Sequence, residues 1–145
     1  MLTLRLNYLF KMRKTFFILV VSCICFNISA QNKLDSLEKE LETAKNEARV
    51  NVLNELNIYY NQLNPTKALE LSKQALDLAN ELNYKKGKAA ALNNIGVIYK
   101  NQGIYDQALE YYIESLRLST EIDDKKGLAS TLNNIGTVYS LKGVF

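Results

Sequence analysis

The sequence predicts an all-α fold, a solenoid of helix–turn–helix repeats with two full units and the first helix of a third. Residues 85–103 (KKGKAAALNNIGVIYKNQG) and 125–143 (KKGLASTLNNIGTVYSLKG) share eleven of nineteen residues at an offset of 40. Within both segments, apolar residues recur every three or four positions, as they do on one face of a helix. Two-helix units that repeat in this way stack on one another and bury a continuous core.

The first segment, residues 1–30, has the layout of a secretory signal peptide. A basic cluster precedes an apolar run at 16–26, and small residues then precede the predicted cleavage between Ala30 and Gln31. The run is shorter than the roughly 20 residues that a membrane-spanning helix needs. Met12 is an alternative start of the leader. The predicted location is therefore the periplasm or the medium.

A second interpretation of the leader stays open. Residues 20–23 (VVSC) resemble a lipobox, in which Cys23 would be lipidated and would anchor the chain to a membrane. The residues that follow Cys23 are apolar, whereas a lipoprotein usually continues with a polar tether. Cleavage after Ala30 is therefore favoured over lipidation.

Residues 31–47 are predicted to form a capping helix that covers the first repeat. Leu34, Leu37 and Leu41 share one face of it. A free coiled coil is the alternative, but the segment is short for one.

Three repeat units follow, at 48–84, 85–124 and 125–145. Asn64 and Pro65 predict the start of the second helix of the first unit. Two Lys-Gly pairs, 86–87 and 126–127, are predicted to mark the turns between units. Gly96 is predicted to permit close approach of the two helices of its unit, with Ala108 facing it.

Composition excludes several functions. The net charge of +3 comes from the leader, which carries four basic residues and no acidic ones, and the remainder is close to neutral. We therefore expect no nucleic-acid partner. The sequence has no histidine, which removes the commonest general base and metal ligand. It also lacks phosphate-loop and nucleophile motifs. We expect no catalytic residues, no metal site and no cofactor.

The repeats resemble the tetratricopeptide repeat in its longer, 40-residue form, whereas the usual period is about 34. The pattern covers roughly residues 48–145 and falls in the second unit on Leu92, Ile95, Gly96, Tyr99, Gly103, Ala108, Tyr112 and Ser115. Asn57 and Ser72 depart from it in the first unit. The resemblance implies a right-handed α-solenoid that binds a protein or an extended peptide.

The resemblance also implies a peptide-binding groove along the first helix of each unit. Its predicted residues are Asn54, Asn93, Asn94, Val97, Lys100, Asn133 and Asn134. Aligned asparagines such as Asn94 and Asn134 would pair with a peptide backbone. The alternative is that they are solvated or form hydrogen bonds between repeats. The lysine pairs 85–86 and 125–126 would form an anion-binding stripe, although a solvated turn is favoured.

The third unit lacks its second helix, so we expect a fragment or a truncated reading frame. The leader, capping helix and repeats resemble the exported N-terminal regions of Bacteroidetes sensor histidine kinases and regulators. That resemblance implies a membrane helix and an output domain beyond residue 145.

The predicted function is a non-catalytic binding scaffold. The alternatives are a sensory fragment of such a protein and a small lipoprotein adaptor anchored through Cys23.

Overall fold

A computed structural model describes residues 31–143 of the chain. The predicted signal peptide, with Ala30 and Cys23, lies outside the described residues, and so do residues 144–145. Gln31 is the first described residue and is exposed. Contacts divide the chain into two units, Met1–Ser36 and Leu37–Phe145. In the first unit, the Gln31 side-chain amide donates a hydrogen bond to Asp35 at 2.8 Å. The second unit contains the repeats.

The described residues form six helices and no strand. The helices are α1 at 31–43, α2 at Asn46–Leu63, α3 at Pro65–Glu81, α4 at Lys85–Asn101, α5 at Tyr105–Glu121 and α6 at Lys125–Lys142. From α2 onward, each helix packs on its neighbours in sequence, and α4 also contacts both α2 and α6. The predicted all-α solenoid of helix pairs is confirmed.

The turns of the solenoid recur every 20 residues. Asn83, Gly103, Asp123 and Gly143 each adopt a positive φ, between 52° and 76°. This left-handed conformation ends a helix because it redirects the chain and lets the next amides bond back to it. The amides of Tyr84, Ile104 and Asp124 accordingly donate to the carbonyl five residues earlier, at 2.8–2.9 Å.

The turn of the first unit is the exception. One residue, Asn64, separates α2 from α3, whereas three residues separate α4 from α5, and this turn uses Asn64 and Pro65 instead of a left-handed residue. The Asn64 side chain accepts a hydrogen bond from the Lys67 amide at 3.1 Å. This is the cap that the Asn-Pro pair predicts.

The prediction that the two Lys-Gly pairs mark the turns between units is wrong. Both pairs lie in the first turn of a helix, α4 or α6, and the turns precede them. No side chain fits at the position of Gly87, because a Cβ atom there would lie 2.4 Å from the Tyr84 ring and 2.5 Å from Val50. The glycine thus serves the packing of α4 on α2.

The helices of the second unit meet where a glycine faces a tyrosine. A Cβ atom on Gly96 would lie 2.5 Å from the Tyr112 ring, which is completely buried. Ala108, which was predicted to face Gly96, lies one turn before Tyr112 on the same side of α5 and is buried in the same cluster. Burial raises the pKa of Tyr112. Its hydroxyl has no hydrogen-bond partner within residues 31–143.

At the equivalent helix crossing of the first unit, the larger residue lies on the first helix and the smaller one on the second. Asn57 occupies the place of Gly96, and Ser72 occupies the place of Tyr112. The buried Asn57 amide donates to the Ser72 hydroxyl at 2.6 Å and to the Ala68 carbonyl at 2.8 Å. The two departures from the repeat pattern therefore compensate each other, because a larger residue on one helix meets a smaller one on the other.

A polar cluster links α1 to the first repeat. Glu38 accepts hydrogen bonds from the Tyr60 hydroxyl and from the Lys67 ammonium group, the latter at 3.1 Å. These two bonds lower the pKa of the Glu38 carboxyl, with the Tyr60 bond contributing most. Beside it, Leu37 is almost fully buried. The C-terminal part of α1 thus contacts both helices of the first repeat.

The two repeat-equivalent glycines should respond oppositely to alanine. Gly136→Ala should raise the free energy of unfolding by about 0.5–1 kcal/mol, because the Cβ atom would meet nothing within 4 Å and alanine favours helix. Gly96→Ala should lower it by about 1–3 kcal/mol, because the buried Tyr112 ring must move. Urea denaturation of both variants measures the difference. Equal effects would contradict the glycine–tyrosine contact.

Candidate functional site

A groove of about 410 Å³ runs across the first helices of the three units. Asparagine, lysine and small residues make up most of its lining: Asn51, Asn54, Ile58, Lys86, Ala89, Ala90, Asn93, Asn94, Ser115, Ser119, Asp124, Lys126, Gly127, Ser130 and Thr131. Only Ile58 presents a large, exposed apolar side chain there. The groove therefore suits a ligand rich in hydrogen-bonding groups better than an apolar one.

Asparagines connect consecutive repeats beneath this groove. The Asn94 amide donates to the Asn54 carbonyl at 3.1 Å and to the Asn54 side chain at 3.2 Å. The buried Asn54 amide in turn donates to the Gly87 carbonyl at 3.1 Å. One repeat further on, the Asn134 amide of α6 donates to Asn93 of α4 at 3.0 Å. Hydrogen bonding between repeats, the alternative left open by the sequence, is thus what these contacts show. Ligand binding by the same residues stays a prediction.

The side chains of Asn93 and Asn94 keep part of their hydrogen-bonding capacity. The Asn93 oxygen accepts from Asn134 and Thr131, whereas its amide nitrogen forms no hydrogen bond within residues 31–143. The Asn94 nitrogen is engaged, whereas its side-chain oxygen accepts none there. A donor and an acceptor are therefore available on adjacent residues, which is what the backbone of an extended peptide requires.

A buried hydroxyl network supports the groove wall. The Ser115 hydroxyl donates to the Ala89 carbonyl at 2.8 Å and lies 3.2 Å from the Thr131 hydroxyl. This network joins α4, α5 and α6 at one point. Ser119, one turn further along α5, is also buried, and its hydroxyl has no partner within the described chain.

Two lysines give the groove a positive charge. Lys86 and Lys126 occupy equivalent positions in α4 and α6, are exposed, and form no ion pair within the described residues. Lys85, the other member of its pair, lies 2.5 Å from Glu121 in a salt bridge. One acidic residue, Asp124, also lines the groove, but it caps α6 by accepting from the Gly127 amide at 3.2 Å.

The predicted groove residues separate into two groups. Asn54, Asn93 and Asn94 line the groove. The other four do not: Val97 packs against the Tyr112 cluster, Lys100 is half-buried, Asn133 is exposed, and Asn134 bonds to Asn93 from outside the lining. The groove extends toward the N-terminal ends of α4 and α6, where Lys86 and Lys126 line it. Peptide binding by the seven predicted residues stays a prediction.

Sequence reasoning missed Lys86, Ala90, Lys126 and Ser130 as groove residues. A signal for them existed, because 86, 90 and 93 follow one another at helical spacing, as do 126 and 130. Extending the stripe that contains Asn93 toward the helix start would have found them. The prediction that the Lys-Gly pairs form turns excluded these residues from the helical stripe.

Other kinds of site have little basis in the part of the chain that the structure describes. No group of three or more Asp, Glu, His or Cys residues among residues 31–143 is placed to hold a metal ion. Within the same residues, no helix is both long and apolar enough to cross a membrane.

Comparison with known proteins finds a family match to part of the chain. A family model described as tetratricopeptide repeat matches residues 87–143, which is less than half of the chain. Such helical repeats are typically non-catalytic and generally mediate protein–protein interactions. None of the curated proteins compared with the chain matches it.

A solved structure shares the fold. The crystal structure of BtubC (BKLC) from P. vanneervenii superimposes with a TM-score of 0.60 and 24% identity. The match covers 78% of this chain and 46% of that one, so this chain spans less than half of the BtubC chain. At this identity the likeness establishes the helical-repeat fold alone.

The inter-repeat asparagines should contribute to stability. Asn94→Ala and Asn134→Ala should each lower the free energy of unfolding by about 0.5–1.5 kcal/mol, because each removes a half-buried hydrogen bond between repeats. Asn133→Ala is the matched control, since that side chain is exposed and forms no hydrogen bond within residues 31–143. Urea denaturation of the three variants measures the effect. A loss as large for Asn133 as for Asn134 would contradict the assignment.

Proposed function

We propose that this chain is an exported, non-catalytic scaffold that binds an extended peptide segment of a partner protein along the groove. The observation that carries the proposal is the pair of unused groups on Asn93 and Asn94, a donor and an acceptor side by side in the groove. An extended backbone offers an acceptor and a donor in alternation, so it can satisfy both.

The charge of the groove indicates the kind of peptide. Lys86 and Lys126 lie on equivalent positions of neighbouring repeats and have no acidic partner within the described residues. A peptide that crosses the first helices would pass both lysines. We therefore propose that the preferred peptide carries acidic side chains, whose attraction to the lysines would weaken as salt increases.

Peptide selection tests this function. Peptides selected from a random library on the full chain should be enriched in Asp and Glu. Their affinity should fall at least about tenfold for Ala90→Arg, because Ala90 is exposed in the groove wall and the larger side chain would fill the groove. Fluorescence anisotropy measures the affinities.

The control for this experiment is Gln74→Arg, which adds the same charge at an exposed position of α3 outside the groove lining. Binding to this variant should equal binding to the unmodified chain. If both variants bind the selected peptides equally, the groove is not the binding site and the proposal is wrong.

Export is the part of the proposal that depends on the leader. Its basic cluster, apolar run and small residues before Gln31 support secretion with cleavage after Ala30. Mass spectrometry of the chain recovered from an expressing bacterium should find Gln31 at its N-terminus. A lipid-modified Cys23 would instead make the chain a membrane-anchored adaptor, and an intact Met1 or Met12 would contradict processing.

The exposed apolar face of α6 favours a second candidate. Leu132 and Tyr139 are 54% and 43% exposed. This face offers a packing surface for a further helix, which the sensory part of a longer signalling protein would supply. Sequencing the gene beyond codon 145 tests it, because an immediate stop codon would remove this candidate.

A further inference from the structure

We propose that the groove recognises an acidic side chain of its peptide at one place, the junction between α4 and α6, and thereby binds the peptide in a single register. This inference rests on the proposed function, since it presupposes a peptide in the groove. Two junctions of first helices lie along the groove: α2 meets α4 at the first junction, and α4 meets α6 at the second. Both junctions are complete, because α3 packs on both helices of the first and α5 on both helices of the second.

The second junction carries hydroxyl groups at positions where the first carries methyl groups. Four alanines of the first junction correspond, 40 residues later, to serine or threonine: Ala75 to Ser115, Ala79 to Ser119, Ala90 to Ser130 and Ala91 to Thr131. All four hydroxyl residues line the groove. The second junction therefore offers hydrogen-bonding groups that the first lacks.

Two of these hydroxyls have no hydrogen-bond partner within residues 31–143. Ser119 is completely buried, and its Oγ has no partner there. Ser130 is exposed in the groove, and its hydroxyl is unpaired in the same part of the chain. Ser115 and Thr131, by contrast, lie 3.2 Å apart and are paired with each other. Because a buried hydroxyl without an acceptor is unfavourable, an acceptor group of a ligand would stabilise this junction.

The asparagines show the same difference between the junctions. At the first junction both ends of the Asn54 side chain are occupied, since its amide donates to the Gly87 carbonyl and its oxygen accepts from Asn94. Asn93 is the equivalent residue at the second junction. Its oxygen is occupied, but its amide donates to no group of residues 31–143. Donors that are paired at the first junction therefore remain available at the second.

Charge distinguishes the two junctions as well. The second residue of α4 is Lys86 and that of α6 is Lys126, so two exposed lysines flank the second junction. The second residue of α2 is the exposed Glu47, so the first junction has one charge of each sign. Asp124 adds one negative charge beside the second junction, where its carboxylate accepts from the Gly127 amide. Positive charge is therefore in excess only at the second junction, which would attract an acidic side chain.

We call Lys86, Lys126, Ser119 and Ser130 the acid pocket. Its lysines lie in the first turns of α4 and α6, whereas Asn93 and Asn94, which would hold the peptide backbone, lie further along α4. At the α2 side, the groove is lined by the exposed Ile58. A bound peptide would thus place an acidic residue at the second junction and an apolar residue toward α2.

An amide scan of a selected peptide tests the register. The peptide is one selected on the full chain, and its C-terminus is amidated so that its negative charges come from side chains alone. Its acidic residues are replaced one at a time, Asp by Asn and Glu by Gln. Binding measured by fluorescence anisotropy should weaken at least about tenfold at a single position and less than about threefold at the others. Equal losses at every acidic position would overturn the proposal.

Two variants of the chain assign that position to the acid pocket. Lys126→Gln removes one charge of the pocket, and Lys73→Gln removes the same charge from an exposed position of α3 outside the groove lining. The critical amide substitution should cost less than about threefold on Lys126→Gln, and it should still cost at least about tenfold on Lys73→Gln. Equal costs on both variants would overturn the proposal. The proposed function would survive that result if Ala90→Arg still prevented binding.

Ser119→Ala separates recognition from structure. The variant should keep or raise the thermal midpoint of the free chain, because the hydroxyl that it removes has no partner within residues 31–143. Affinity for the acidic peptide should fall at least about fivefold, whereas the amide form of the peptide should bind the variant and the unmodified chain equally. Unchanged affinity for the acidic peptide would overturn the proposal, whatever the thermal midpoint.

Discussion

The contact between a small residue on one helix and a larger one on the next determines the geometry of each helix pair. In the second unit Gly96 receives the buried ring of Tyr112, and in the first unit Asn57 meets Ser72. The volume at the crossing is filled in both cases, although different helices supply the bulk. Because interiors are close-packed, this position cannot change on one helix alone. The angle between the helices, and hence the path of the groove across the first helices, depends on it.

The asparagines of the groove form hydrogen bonds between repeats, and they also offer groups to a ligand. Each has an amide group with a donating and an accepting end, and the contacts between repeats occupy only one end of Asn93 and one of Asn94. The stacking of repeats therefore fixes the orientation of these side chains before any ligand arrives. A ligand that uses the remaining ends would meet groups already held in place, which reduces the entropy lost on binding.

Much of the fold could be predicted from the sequence, because the 40-residue repeat and the three-to-four spacing of apolar residues are local signals. The groove could be predicted only in part. The Lys-Gly pairs predict turns at Gly87 and Gly127, and such turns would place Lys86 and Lys126 outside the helices and out of the groove. The structure shows that Gly87 makes room for the Tyr84 ring and for Val50 of α2, and the spacing of residues alone does not reveal a contact with another helix. The compensation between Asn57 and Ser72 could not be predicted either, because it is also a contact between two helices.

The left-handed turns at Asn83 and Asp123 have a consequence for how such a chain changes length in evolution. Excision of residues 85–124 would join Tyr84 directly to Lys125, and the preceding turn would remain intact. The helix that then followed would bring Gly127 and Asn134 to the positions of Gly87 and Asn94, the residues that meet Asn54. These two groups at the new junction would match the old ones, whereas Leu141 would replace Asn101, which donates to Asn61. The array is therefore modular at the genetic level in its main polar contacts, because a single in-frame recombination between its copies would preserve the bonds to Asn54.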